Sequence, residues 1–325
     1  GGDEDPIAEA IAAAGIAGEV RSAGGELLRT GGNHRIDWDD LPTDVRVVLR
    51  GDQHEDLVAR LKEGREVELE FDIDNRFFKG PVQLYNVVAD LRGSEKPDEY
   101  VIVCGHLDSW DGAQGAVDNG TGVATTMEAA RLLAAVGARP KRTIRFILWS
   151  GEEQGLLGSR AYVEQNPDLI PKVSAVLNHD GGTNYLSGLS ITDEMEGQMR
   201  EALAPLFGLD ERFPFELRTG AGLATSGSSD HASFVRAGAP GFFWNQSGES
   251  NYRHMHHTQN DTFETAVPEY QRHSAVVAAV AAWGLADLDE LLTRENMVVE
   301  PIRPRRMGVE LDATRVTNVL AGKAR

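Results

Sequence analysis

Cysteine is nearly absent. Cys104 stands alone in 325 residues, which excludes any disulfide within the chain and leaves its redox compartment open. Long apolar runs are absent too. None approaches the roughly 20 residues that a membrane-spanning helix needs, although 41% of the residues are hydrophobic. Positive charge is scarce. With 32 Lys and Arg against 51 Asp and Glu, the net charge is −19, the wrong sign for a protein that neutralises a phosphate backbone. A cationic metal or an amine-bearing substrate suits that sign better, and the same surplus also keeps a chain soluble. The chain begins "GGDEDP", with neither an initiator methionine nor a signal peptide, so the expectation is a processed, truncated or tagged product.

What is present falls into two patterns. In residues 66–73, "EVELEFDI", Val67, Leu69, Phe71 and Ile73 alternate with acids, which predicts a half-buried strand. The preceding "EDLVARLKEG" predicts a short helix ending at Gly64. From residue 84 onward, short apolar runs take over: "YVIVCGH" (100–106), "TIRFILWS" (143–150), "VSAVLNHD" (173–180) and "GAPGFFWN" (238–245). Helical patterns separate them at 120–138 and 155–166, and a long closing helix is predicted over 268–292 with Pro268 in its first turn. Apolar strands alternating with helices predict an α/β fold whose sheet is covered on both faces.

The chemistry gathers where those strands stop. The glycine-rich stretch "GHLDSWDGAQGAVDNGTG" carries His106, Asp108, Asp111 and Asp118, "WSGEE" ends on Glu152 and Glu153, "NHD" ends on Asp180, and "HMHHTQNDT" carries His254, His256 and His257. Sites in open α/β sheets form at the carboxyl ends of the strands, so residues far apart in sequence are expected to converge. Each signal alone is weak, because a Glu-Glu pair is ordinarily solvated surface and a His-x-Asp is common. Together, acids and imidazoles at strand ends suit a divalent cation, which turns their mutual repulsion into attraction. The mixed nitrogen and oxygen set favours zinc, with cobalt or manganese as relatives. More than four candidate ligands points to two metals, roughly 3.5–4 Å apart where they share a water. Cys104 reads as an inert buried thiol, His179 as a neighbour of the site, and His231 as part of a helix start.

The motifs "HLDSWD", "GAVDNGTGVA", "EEQGLLGS" and "HHTQNDT" resemble the zinc-dependent aminopeptidases of peptidase family 28, above all their carboxypeptidase Q-like branch, over roughly residues 76–292. The resemblance implies a three-layer sandwich with a mixed, mostly parallel twisted sheet. It implies two zinc ions held by His106, Asp118, Glu153, Asp180 and His257, with Asp118 bridging. Glu152 is then the general base, Asp108 orients His106, and His256 occupies the place from which several relatives steady the oxyanion. A cis peptide at Asp118–Asn119 is implied as well. The resemblance further implies part of a protease-associated insert over 1–75, a catalytic domain over 76–294, and a linker with the start of a PDZ-like segment over 295–325. The expected activity is that of a secreted, periplasmic or cell-surface dizinc aminopeptidase or dipeptidase. Its partner is a peptide or dipeptide, with no nucleic acid and no membrane span, and a homodimer is compatible. The alternatives are a single-zinc acyltransferase of the glutaminyl cyclase type and a non-catalytic receptor module of the transferrin-receptor type.

Overall fold

The structure is a computed structural model that describes residues 15–32, 36–42, 45–223 and 228–297. It divides into two compact units, Gly1–Gly80 and Pro81–Arg325. The segment expected as a PDZ-like start lies outside the described residues, as does all of the expected linker but 295–297.

In the first unit, strand β1 (Gly18–Ser22) pairs in parallel with β2 (Val45–Leu49), and helix α1 (Gly51–Lys62) follows. Gly64 takes φ +75° just past the helix, the left-handed turn that glycine adopts without penalty. The predicted strand over 66–73 does not form. Residues 65–79 have no regular secondary structure, and Leu69, Phe71 and Ile73 are exposed. Alternation marks a chain that could line one face of a sheet, but a ladder needs a partner, and no described strand pairs with this one.

The second unit is built on a seven-stranded sheet in the order β3-β5-β4-β6-β9-β7-β8. Its strands are β3 (Val87–Leu91), β4 (Lys96–His106), β5 (Arg142–Trp149), β6 (Val173–Asn178), β7 (Tyr185–Thr192), β8 (Glu216–Gly220) and β9 (Gly241–Ser247). The central strands β5, β4, β6 and β9 run parallel, while β3 pairs antiparallel with β5, β7 pairs antiparallel with β9, and β8 runs parallel to β7. The sheet is thus mixed and mostly parallel.

Both faces are covered. Val101 and Val103 of β4 pack into one core with Ala129 and Leu133 of α2 (Thr121–Ala135) and Val277, Ala281 and Leu285 of α7 (Pro268–Asp287). Ile102 and Cys104, pointing the other way, pack with Ile147, Trp149, Val163 of α3 (Leu157–Gln165) and Phe234 of α5 (His231–Ala237). Each such aliphatic side chain contributes about 1.5–3 kcal/mol on leaving water, which is why these runs read as continuously apolar. Two short helices, α4 (Glu196–Ala202) and α6 (Tyr252–Met255), complete the unit. The closing helix starts at Pro268, as predicted, but stops at Asp287 rather than 292. The buried Arg142 guanidinium takes the carbonyls of Leu288 and Asp289, which pulls the chain out of the helix.

Candidate metal centre

The carboxyl ends of β4, β5 and β6 lie side by side, and each delivers one part of a polar cluster. His106 is the last residue of β4, and its Nε2 lies 2.9 Å from Asp180 Oδ1 and 3.2 Å from Asp118 Oδ1. Asp180 follows β6. Asp118 sits in the loop before α2, and its peptide bond to Asn119 is cis. On the other side, His257 Nε2 lies 2.9 Å from Glu153 Oε2 and 3.3 Å from Asp118 Oδ2. His257 adopts φ +58°, uncommon for a residue with a side chain and typical of functional sites. His256 stacks on His257 with ring centres 3.8 Å apart, and its Nε2 is 3.7 Å from Asp118 Oδ2. Asp118 therefore offers one oxygen to the His106–Asp180 pair and the other to the His257–Glu153 pair. Among the described residues, two groups could each hold a cation: His106, Asp118 and Asp180, and Asp118, His256 and His257. Asp111 is exposed on the surrounding loop.

The glycines of the 105–122 stretch are spacing devices. A Cβ on Gly122 would sit 2.3 Å from the His179 carbonyl oxygen, so only glycine lets α2 approach the end of β6 this closely. Gly115 takes φ +64° and lies directly over Ser109, folding the loop back on itself.

Two further aspartates hold the backbone of the cluster. Asp108 does not orient His106 through its carboxylate. Its backbone carbonyl accepts from His106 Nδ1 at 2.9 Å, while the carboxylate is 3.8 Å away. That carboxylate instead accepts the amide N–H groups of Glu152 and Glu153, both at 3.1 Å. These glutamates lie in a turn after β5 rather than on extended chain, so Asp108 fixes where each points. Asp261, which sequence reasoning left without a role, accepts the amides of Val117 at 2.6 Å and Asp118 at 3.0 Å. The available signal was an acid four residues after the last histidine of "HHTQND".

Crowded acids compete for protons. Burial raises Glu152 to about 10, Asp180 adds to the rise, and His106 eases it. Burial also raises Glu153, opposed by the hydrogen bond from His257. Burial alone would depress His106, but Asp180 and Asp118 overcome it and lift the imidazole well above its ordinary value. The Glu153 hydrogen bond lifts His257. His179 and His231 are buried and lowered to about 4, so they are neutral imidazoles beside the site, and Cys104 is a buried thiol contacting Asn178. Asp230, fully buried, is raised to about 7 by that burial, with Ser159 and His106 offsetting part of it. Its proton is held more tightly in the folded chain than in the unfolded one. Stability is therefore highest below the ordinary aspartate pKa and is lost as pH rises from about 4 to about 7, by roughly 4 kcal/mol. In the zinc-free protein, the melting temperature of Asp230→Asn relative to the native chain should rise over that window. A difference that stays flat from pH 4 to 8 would remove this account.

Residues 86–281 match the description Peptidase family M28. The chain is 35% identical to carboxypeptidase Q of Rattus norvegicus over 251 residues, covering 77% of this chain and 48% of that protein. It is 38% identical to the Mus musculus protein of the same name over 212 residues, covering 65% and 43%. This chain belongs to peptidase family M28. Within that family it falls in the carboxypeptidase Q-like branch, and it spans less than half the length of these relatives. The peptidase M28 precursor of Shewanella amazonensis superposes with a TM-score of 0.66 at 28% identity, covering 90% of this chain and 63% of that one. The M28 sheet and its helical layers are the fold described above. Among the described residues, no helix is long and apolar enough to cross a membrane.

Proposed function

We propose that the M28 unit of this chain is a dizinc exopeptidase that releases the N-terminal residue of peptides or dipeptides outside the cell. The observation that carries this reading is the placement of Asp118, whose two oxygens face two separate sets of nitrogen and oxygen donors. The donor set fits zinc on its own terms. Asp118 Oδ2 and Glu153 Oε1 are buried and accept no hydrogen bond, an expensive condition unless a cation occupies the space between the acids. His106 and Asp180 would hold one ion, His257 and Glu153 the other, and Asp118 both. When bound, zinc polarises the scissile carbonyl and lowers the pKa of a bound water.

The chain's own residues do the rest. Glu152, set beside Asp180 and His106 and protected from solvent, takes a proton from the attacking water and returns it to the leaving amine. Without cations, burial and Asp180 keep that carboxyl protonated at neutral pH; the charge of bound zinc would bring it down to the ionised form that a base needs. His256 is the most exposed of the site histidines that face Asp118, so its ring is the one able to meet a substrate, and it donates to the developing oxyanion. Asp108 keeps the Glu152–Glu153 turn in register with His106. The excess of carboxylates attracts the substrate's ammonium group, which limits cleavage to the N-terminal end. On the same family resemblance, residues 1–75 are assigned to part of a protease-associated insert.

The decisive experiment combines metal analysis with a screen of amino-acyl amides and dipeptides on the zinc-loaded protein. Two zinc ions per chain and release of the first amino acid are expected. One zinc with cyclisation of an N-terminal glutamine would instead indicate acyl transfer, and no bound metal would remove the catalytic reading.

A further inference from the structure

The short helix α6 begins at Tyr252 and runs directly into His256 and His257. Nothing in the chemistry above uses Tyr252. Positions four apart on a helix share a face, and the His256 amide donates to the Tyr252 carbonyl at 2.7 Å. The Tyr252 ring accordingly lies against His256, with ring centres 5.0 Å apart and planes at 40°. His256 stacks in turn on His257 at 3.8 Å and 27°, and Trp110 meets His257 edge-on at 6.3 Å and 70°. The His256 imidazole is thus held between a phenol and a candidate zinc ligand, with its Nε2 3.7 Å from Asp118 Oδ2.

The tyrosine has a seat of its own. Gly182, two residues past Asp180, takes φ +97°, and a Cβ there would lie 2.6 Å from Tyr252 Cδ2 and 3.2 Å from Val117 Cγ1. The Tyr252 ring therefore fills the space that a side chain at 182 would need, against the loop that carries Asp180. Val117, the residue before Asp118, borders the same space. Thr121 pins that seat, its hydroxyl sharing a proton between the carbonyls of Val117 at 2.9 Å and Gly182 at 3.1 Å. At the far end of α6, the Thr258 hydroxyl does the same for the carbonyls of His254 at 2.6 Å and Met255 at 3.0 Å. With the backbone fixed at both ends, the two side-chain torsions of His256 are restrained by the rings on either side.

We propose that Tyr252 is a positioning residue, its ring holding the His256 imidazole against His257 so that Nε2 stays turned toward Asp118 and the metal site. The purpose of that positioning rests on the peptidase reading, in which His256 meets the developing oxyanion. A donor oriented before the substrate arrives needs no reorganisation in the transition state. An imidazole backed on one side alone samples other rotamers and must be reordered in each turnover. The effect belongs to the ring, because tilted and offset ring pairs attract through their faces and edges. The hydroxyl is a separate group: burial and the nearby Asp180, Asp118, Glu153 and Glu152 keep it a neutral O–H.

The test uses the zinc-loaded chain. It compares Tyr252→Phe, which keeps the ring, with Tyr252→Leu and Tyr252→Met, which keep apolar bulk without one, each alone and combined with His256→Gln. For a panel of dipeptides, kcat and KM are measured beside bound zinc and melting temperature. The contact between the His256 and His257 rings is followed as a nuclear Overhauser effect in histidine-labelled protein, a readout that needs no turnover. For Tyr252→Leu and Tyr252→Met we expect kcat to fall by roughly ten- to a hundredfold, with KM and zinc content near native and the ring contact weakened. Tyr252→Phe should restore most of the kcat and the contact. Once His256→Gln is in place, removing the Tyr252 ring should lower kcat little further, because both changes act through one group. Equal losses for Tyr252→Phe and Tyr252→Leu would assign the role to the hydroxyl and overturn the proposal. Losses that multiply with His256→Gln, fall on KM, or accompany loss of zinc or of the fold would also overturn it. If the native chain hydrolyses no peptide but the ring contact weakens in Tyr252→Leu and Tyr252→Met alone, the positioning stands and the peptidase reading falls.

Discussion

Glu152→Gln should retain both zinc ions and lose most of the turnover, by about 10²–10⁴-fold, the usual cost of removing a general base. Glu153→Gln should do the reverse: it should weaken the metal held with His257, and added zinc should partly restore activity. The two side chains are neighbours in sequence but have different surroundings. Asp108 binds both of their amides, and from that shared anchor Glu153 reaches His257 at 2.9 Å. Glu152 instead lies beside Asp180 and Asp230, which with burial raise its proton affinity, and beside His106, which eases that rise. A glutamine at 152 keeps the shape but replaces the basic carboxylate with an amide that cannot take the water's proton. The check is bound zinc and kcat measured side by side for the two variants. Loss of zinc from Glu152→Gln with retention by Glu153→Gln would reverse the assignment, and full activity in both would place the chemistry elsewhere.

The sequence made the central sheet legible because its strands are buried on both faces. Runs such as "YVIVCGH" and "VSAVLN" contain almost no polar residue, and nothing but a doubly covered strand or a buried helix tolerates that. β7 and β8 escaped notice for the opposite reason. "YLSGLSIT" is interrupted by serine and glycine, and "ELRTG" is a short edge strand with exposed charged groups. The strand expected at 66–73 failed because alternation is a local property while a ladder is not. The end of α7 was misplaced because Arg142, 146 residues away from Leu288, takes the carbonyl that would have continued the helix.

The cluster itself was visible as a conjunction: His106, Glu152, Glu153 and Asp180 each close an apolar strand, and topology had only to bring the strand ends together. What sequence could not reveal was which acids hold backbone rather than face the pocket. Asp108 and Asp118 look alike within one glycine-rich stretch, yet the first binds amides of the Glu152 turn and the second is aimed inward. The different directions of Glu152 and Glu153 likewise arise from a turn pinned at its amides. The Asp108–Glu152 contact spans 44 residues, beyond the reach of any local pattern.

Asp261 shows what such a backbone anchor contributes. Its carboxylate accepts the Val117 amide at 2.6 Å and the Asp118 amide at 3.0 Å, and both residues are buried. Asp261→Ala would leave two buried N–H groups without an acceptor. At about 1–3 kcal/mol for each unsatisfied group, the loss of stability is roughly 2–6 kcal/mol. The Asp118 carboxylate would also lose the fixed backbone that aims its two oxygens, and the weakening of a metal site by removal of such a supporting group is typically about 10–100-fold in affinity. Asp261→Asn keeps one side-chain oxygen and should retain part of both. Burial raises the Asp261 carboxyl above its ordinary value while the two amides oppose that rise, so the amides are what favour its ionised form. The experiment is thermal melting with zinc titration for the native chain, Asp261→Ala and Asp261→Asn. A substantial fall in both stability and zinc affinity for alanine, with asparagine intermediate, is the expected order. Stability lost with zinc affinity unchanged would mean that Asp261 supports the fold of the loop but not the aim of Asp118.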